Sequence, residues 1–177
     1  MKRIESVLAE LDSARRRLIS EVEGVQEPRF STPPAAGQWS VGHVLEHLAR
    51  SEEALARGIA AVMAGKLKAE RRGSDWFGRV AYRLGLYRLV RARSREAFEP
   101  RETLSQPAAI ARLAATREQL LATIEAGERR GIWSQHVRHP SLGPLSVAEM
   151  IGFMAWHEER HRMQIVRIKA ALERAGK

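Results

Sequence analysis

Apolar residues recur at intervals of three and four along most of the chain, the spacing of one face of an α-helix. Over residues 2–22 the pattern is carried by Ile4, Val7, Leu8, Leu11, Leu18 and Val22. The same spacing predicts long helices over residues 40–65, 106–126 and 146–175. No segment alternates apolar and polar residues between turn signals, so we predict no strand.

Two of these helices have clear N-terminal signals. Ser40 and Ser146 are placed as N-caps, because a serine hydroxyl can accept a hydrogen bond from an unpaired backbone amide. Glu149 lies three residues after Ser146 and completes a capping box. Trp39 precedes the first cap and is expected to pack on Val44 as a hydrophobic staple.

The two capped helices also resemble each other. When they are aligned on their serines, Trp39-Ser40-Val41 matches Leu145-Ser146-Val147, and Glu52-Glu53 matches Glu158-Glu159. We interpret this match as two equivalent helices that enter a bundle in similar ways.

Proline and glycine divide the helical segments. Residues 27–38 and 127–144 are rich in both and are predicted to be loops. A further helix is predicted over Ser74–Arg93, where an apolar stripe is flanked by arginines. The whole pattern predicts an all-α fold of four long helices, with an extra basic helix in the connection between the second and third of them.

The chain has 177 residues, 44% of them hydrophobic, so we expect one domain over residues 1–177 with a sizeable core. It has no cysteine, which excludes disulfides, thiolate metal ligands and a cysteine nucleophile. Any metal must be held by His, Asp or Glu. No apolar signal core follows Met1, and no stretch is long enough to cross a bilayer, so we expect a cytoplasmic protein.

The net charge of +9 is concentrated in one segment. Residues 66–101 contain eleven Lys or Arg against four Asp or Glu, which supplies +7 of that charge. Three aromatic residues, Trp76, Tyr82 and Tyr87, lie among the arginines. This segment could guide an anionic small molecule to a cleft, contact a membrane surface or nucleic acid, or form a solvated amphipathic helix. No DNA-reading motif accompanies it.

Three of the six histidines are candidate metal ligands. His157 and His161 are four residues apart on a strongly predicted helix, so both imidazoles project from one face and could share a metal. The alternative is a pair of ordinary surface or core histidines. His47 is expected to point inward from the second helix, where it needs a partner. A shared metal would satisfy it, and so would a single hydrogen bond to a neighbour.

The other three histidines have simpler interpretations. His43 occupies the position in the second helix that Glu149 occupies in the last, and we expect an exposed first-turn residue. A fourth metal ligand is the alternative. His136 and His139 precede the last helix, where we expect solvated loop positions or, alternatively, the mouth of a cleft.

The sequence resembles the DinB superfamily from the first helix to about Ile168. The likeness is carried by Trp39-Ser40-Val41, Val44-Leu45-Glu46-His47-Leu48-Ala49 with Glu52, Phe98 with Pro100, His139-Pro140, Leu142-Gly143, Leu145-Ser146, Glu149-Met150, His157-Glu158, Arg160-His161 and Gln164-Ile165. The late segment with its two histidines is the more specific part.

The resemblance implies a four-helix bundle with a long connection between its second and third long helices. It implies a metal site of three histidines, which fall at His47, His157 and His161. Related proteins are often homodimers. Several branches are S-transferases or isomerases that depend on low-molecular-weight thiols, which suggests a small-molecule substrate for this chain.

Three imidazoles would leave a divalent metal with an open position, as in catalytic sites. Zinc or nickel suits such ligands, and iron is an alternative. The open position could activate water in a hydrolase or hold a thiol in a transferase. We expect Glu158 and Glu159 to be solvated or paired with Arg160 and Arg162, or one carboxylate to orient a ligand. The competing hypothesis is a non-catalytic metal-binding module whose basic face binds an anionic partner.

Overall fold

The structure is a computed structural model that describes residues 4–67, 99–100, 104–139 and 143–175. The basic helix predicted over residues 74–93 lies outside these described residues. Within them, no helix is both long enough and apolar enough to cross a membrane.

Four long helices form the bulk of the described residues. Helix α1 spans Ile4–Glu23, α2 spans Val41–Met63, α3 spans Gln106–Arg129 and α4 spans Val147–Ala175. The most extensive packing is between α1 and α4 and between α2 and α3. The prediction of a four-helix bundle is therefore confirmed.

The apolar core consists of two clusters stacked along the bundle, and all four helices contribute to both. The first cluster contains, among others, Leu11, Leu55, Leu120 and Ile151. The second contains Leu18, Leu48, Leu113 and Ile165. Between these positions α2, α3 and α4 each carry a buried charged residue, and α1 carries Arg15, whose side chain is 11% exposed, so a polar layer separates the two apolar clusters.

Both predicted N-caps are present. The Ser40 hydroxyl accepts a hydrogen bond from the backbone amide of His43, and the Ser40 amide donates to the His43 ring at 3.2 Å. In α4, the Glu149 amide donates to the Ser146 hydroxyl, and the Ser146 amide donates to the Glu149 carboxylate at 2.8 Å. His43 and Glu149 therefore perform the same capping role in the two helices that the sequence match relates.

The segment predicted as a loop over residues 127–144 contains an antiparallel hairpin, so the prediction of no strand was wrong. Strand β1 spans His136–His139 and pairs with β2, which spans Gly143–Ser146. Only one pair, Val137 opposite Leu145, buries an apolar residue from each strand. In β2 the two buried apolar residues, Pro144 and Leu145, are consecutive, so there is no alternation for a sequence pattern to detect.

Helix α3 also continues past its predicted end at residue 126 to Arg129. Gly127 lies inside it, where a Cβ would be 3.1 Å from the Ile132 side chain. A glycine that appeared to end the helix thus lies in a closely packed position inside it. Gly131, at φ 64°, then reverses the chain in the left-handed conformation that glycine favours.

Candidate metal centre

Three histidines from two helices meet on the side of the bundle where α2 faces α4. The Nε2 atom of His157 lies 3.2 Å from Nε2 of His47 and 3.1 Å from Nε2 of His161. His157 and His161 are one helical turn apart on α4, and His47 reaches them from α2. Each histidine offers a ring nitrogen within 4.8 Å of the other two. We call these three residues the histidine triad.

The ring of His161 has a defined orientation. Its Nδ1 lies 2.8 Å from Oε1 of Gln164, and an amide oxygen can only accept, so Nδ1 carries the proton. The Nε2 atom of His161 therefore presents a lone pair to the centre of the triad. Metal-binding histidines in proteins are commonly oriented by such a bond from the nitrogen that does not ligate.

Among the described residues, the ring of His157 lacks a hydrogen bond of this kind. Its Nδ1 is buried without a hydrogen-bond partner in the described part of the chain, while its Nε2 faces the other two rings. With the ring proton on Nδ1, Nε2 of His157 also presents a lone pair to the other two rings. Three lone pairs that converge on one point are better satisfied by a cation than by one another.

Aromatic rings enclose the triad on two sides. The Trp39 ring centroid lies 5.0 Å from that of His47 and 6.3 Å from that of His161. Phe153 stacks on His157 at 5.9 Å, and His139 from β1 meets the edge of Phe153 at 4.9 Å. Trp39 thus contacts the site itself, which its expected role as a helix staple had not indicated.

Burial keeps His157 and His161 neutral. It lowers the pKa of His157 well below 6.5, and the neighbouring His161, His47 and Arg160 lower it further. Burial is also the main cause that lowers the pKa of His161 to about 3; proximity to His47 adds to this and the Gln164 hydrogen bond opposes it. Neutral imidazole is the form that binds metal ions.

The spacing of the nitrogen donors suits a small divalent cation. Zinc–nitrogen bonds of about 2.0–2.1 Å at tetrahedral angles separate two ligand nitrogens by roughly 3.3–3.4 Å. The separations of the His157 Nε2 atom from the Nε2 atoms of His47 and His161, 3.2 and 3.1 Å, are close to that value. The residues present therefore fit a metal with three imidazole ligands, although their role as ligands stays a prediction.

The other histidines do not join this group. His43 is partly buried in the capping box of α2, so the expectation that it is exposed was wrong. His136 and His139 are partly buried in β1 and do not lie in a solvated loop. Of the two, His139 contacts the ring of Phe153 and so lies beside the triad.

The environment and partners of Glu158 differ from those expected from the sequence. It is fully buried, and its Oε1 atom is bound by Arg15 of α1 and Arg117 of α3 rather than by Arg160 or Arg162. Burial raises the pKa of Glu158, and the two arginines oppose that rise. No sequence signal pointed to these partners, because Arg15 and Glu158 are 143 positions apart.

The other two carboxylates near the ligands are also paired with arginines. Glu159 is bound by Arg162 at 2.8 Å, which confirms that expected pair, and also by Arg17 at 3.2 Å. Glu46 is buried, with Arg50 and Arg112 each 3.8 Å away.

A small apolar cavity lies further along the faces of α2 and α4. Its volume is about 150 Å³, and its lining includes Leu55, Ile59, Val147 and Met150. Met150 is seven residues before His157, which on a helix corresponds to roughly 10 Å. This cavity is therefore separate from the triad.

Fold and site together define a class of protein: a four-helix bundle in which three histidines from two helices converge. The sequence pattern of the DinB superfamily matches residues 4–165. The chain therefore belongs to the DinB superfamily, as its sequence suggested.

Three comparisons illustrate the relationship. The chain is 27% identical over 168 residues to the uncharacterized protein YuaE of Bacillus subtilis (strain 168), covering 93% of this chain and 98% of YuaE. It is similar to TT2238, a four-helix bundle protein, with a TM-score of 0.61 at 20% identity over 93% of this chain and 99% of TT2238. YfiT from Bacillus subtilis, described as a probable metal-dependent hydrolase, has a TM-score of 0.64 at 16% identity over 96% of this chain and 87% of YfiT.

A fourth similar structure is the mycothiol-dependent maleylpyruvate isomerase. Its TM-score is 0.60 at 14% identity, over 93% of this chain and 60% of the isomerase. At these identities, the solved structures establish the shared fold alone.

Proposed function

We propose that His47, His157 and His161 bind one divalent metal ion and that the protein is a metal-dependent enzyme acting on a small molecule. The observation that carries the proposal is the convergence of the three Nε2 atoms, with separations of 3.1 and 3.2 Å to the central His157. Zinc and nickel suit three neutral imidazoles, and iron is an alternative.

The protein's own residues have clear tasks in such a site. Gln164 holds the His161 ring so that Nε2 faces the centre. Trp39 and Phe153 cover the rings and limit the access of water to them. A bound divalent ion with an open position would supply Lewis acidity toward a water or a thiol.

Two reaction types fit this arrangement. The first is an S-transferase-like reaction that uses a low-molecular-weight thiol; the mycothiol-dependent isomerase with the same fold supports it. The second is a hydrolase-like reaction, supported by the metal-dependent hydrolase description of YfiT. The buried carboxylates nearest the triad are bound to arginines, so no residue is assigned as a general base.

The test is an activity screen with metal-loaded protein. One set of reactions contains a low-molecular-weight thiol with an electrophile, and a second set contains activated esters and amides. We expect turnover in one set, loss of that turnover in His161→Ala, and its retention in His136→Ala, which removes a histidine outside the triad. Metal-loaded protein that is inactive in both sets would favour the non-catalytic alternative.

That alternative is a metal-binding module whose basic face binds an anionic partner. The observation in its favour is the excess of seven positive charges within residues 66–101. Binding to a polyanion such as heparin, with a steep salt dependence and no turnover, would support it. A single domain over residues 1–177, a homodimer and a cytoplasmic location stay predictions.

A further inference from the structure

The polar layer between the two apolar clusters is built from one charged residue of each long helix. Arg15 comes from α1, Glu52 from α2, Arg117 from α3 and Glu158 from α4. The glutamate side chains are 0% exposed and the arginine side chains 11%. We call these four residues the ion quartet.

Each arginine of the ion quartet bridges both glutamates. Arg15 Nη2 lies 2.9 Å from Glu52 Oε2 and 2.6 Å from Glu158 Oε1. Arg117 Nη2 lies 2.7 Å from Glu52 Oε1 and also contacts Glu158 Oε1. The two helices that carry glutamates are thus joined twice, through guanidinium groups from the two helices that do not.

The arginines also fix the helices from which they come. Arg15 of α1 donates through Nη1 to the backbone oxygen of Leu113 in α3 at 2.8 Å. Arg117 of α3 donates in return to the backbone oxygen of Leu11 in α1 at 3.3 Å. Thr116 adds a hydrogen bond from its hydroxyl to Glu52 at 2.9 Å. A shift of any one helix along the bundle would break several of these bonds.

The glutamate-bearing helices are also the ones that carry the histidine triad. Glu158 directly follows His157, and Glu52 lies five residues after His47. We propose that the ion quartet is a positioning device, which holds α2 and α4 at the separation and register that bring His47 to His157 and His161. This inference rests on the proposed metal site.

Stability alone is a weak explanation for the ion quartet. Buried ion pairs can often be replaced by apolar residues without loss of stability, because removing charges from water offsets most of their attraction. Apolar clusters adjoin this layer on both sides and could have continued through it. What the ion quartet adds is a defined geometry, because the planar guanidinium group of an arginine fixes its partners in distance and angle.

The decisive variant is Arg117→Lys, because it keeps the positive charge and removes the planar guanidinium group. Arg117 lies on α3, which contributes no histidine to the triad. The matched control is Arg112→Lys on the same helix, where the arginine pairs with Glu53 and Glu46 of α2 but does not bridge to α4. Cobalt(II) serves as the probe because its visible spectrum reports the geometry of its ligands.

We expect Arg117→Lys to fold and to bind cobalt about 10- to 100-fold more weakly than the wild type, the usual effect of losing support for a ligand. Its visible spectrum should change. Arg112→Lys should bind within about twofold of the wild type with the same spectrum. Circular dichroism at the titration temperature checks folding. If Arg117→Lys does not fold, Thr116→Val provides the same comparison through the milder loss of one bond to Glu52.

The cobalt experiment gives different results if the positioning role is wrong and if the proposed metal site is wrong. A folded Arg117→Lys, or Thr116→Val in its place, with wild-type cobalt affinity and spectrum would overturn the positioning role and leave the metal site intact. A wild type that binds no cobalt would overturn the proposed metal site, and the inference with it.

Discussion

The Gln164 side chain accepts a hydrogen bond from Nδ1 of His161 at 2.8 Å, three residues before it on the same helix. This bond fixes both the tautomer and the rotation of the ring. Nε2 of His161 is then directed at Nε2 of His157, 3.1 Å away. A residue outside the histidine triad thus fixes the orientation of one of its rings.

Replacing Gln164 should therefore weaken metal binding without unfolding the protein. We expect Gln164→Ala to lower the affinity for zinc about 10-fold, because the His161 ring loses its fixed orientation. Gln164→Glu keeps an acceptor at the same position and should retain binding. Competition with a chromophoric chelator measures the affinities. Equal affinity in Gln164→Ala and the wild type would show that the hydrogen bond has no role in the site.

Trp39 covers two rings of the triad, and its loss should affect both stability and metal retention. Trp39→Ala removes a partly buried indole and should lower the free energy of unfolding by roughly 2 kcal/mol, less than for a fully buried tryptophan. Bound metal should also be released to EDTA faster than in the wild type. Trp39→Phe, which keeps a ring, is the comparison. An unchanged release rate in Trp39→Ala would contradict the shielding role.

The two serine caps should contribute similar stability, because they have the same geometry. Ser40→Ala and Ser146→Ala should each lower the free energy of unfolding by about 1 kcal/mol. Ser134→Ala, at an exposed position in the short 3-10 helix Ile132–Ser134, should change it little. Urea denaturation measures all three. A cap variant as stable as Ser134→Ala would mean that its hydroxyl bond does not stabilise the helix.

The neutral imidazoles of His157 and His161 predict how the stability of the metal-free protein depends on pH. His157 and His161 have lowered pKa values when folded, whereas an unfolded imidazole takes up a proton near pH 6.5. The unfolded chain then binds more protons, so the free energy of unfolding falls as the pH drops from about 6.5 toward about 3. Above that window the two histidines add no pH dependence.

His161→Gln should reduce this slope by about 1 kcal/mol per pH unit, because one group no longer takes up a proton on unfolding. Urea denaturation in EDTA at several pH values measures it. His136→Gln, which changes a histidine outside the triad, is the control. If the curve of His161→Gln runs parallel to that of the wild type between pH 6 and pH 4, His161 is not buried in its neutral form.

The sequence predicted the features that depend on neighbours along the chain. Ser40, Ser146 and Glu149 form caps with residues three positions away, and His157 and His161 share a face because they are four apart. These relationships follow from helix geometry alone. The match between Glu52 and Glu158 was also visible in the sequence, and both residues prove to occupy equivalent places in the ion quartet.

The features that the sequence did not predict depend on distant partners. Arg15 and Arg117 appear as ordinary helix-surface charges, and only the packing of four helices brings them to Glu158. Trp39 also contacts His161, 122 positions away, with 6.3 Å between the ring centroids. Residues far apart in sequence cannot be paired by spacing, so these contacts required the three-dimensional structure.

The most direct test of the central claim is the metal content of the purified protein, measured by elemental analysis after loading and desalting. The wild type and His136→Ala should each retain about one equivalent of zinc or nickel, because three triad imidazoles remain in both. His47→Ala and the double variant His157→Ala with His161→Ala should retain almost none. A wild type without metal, or triad variants that retain a full equivalent, would contradict the claim that these histidines form a metal site.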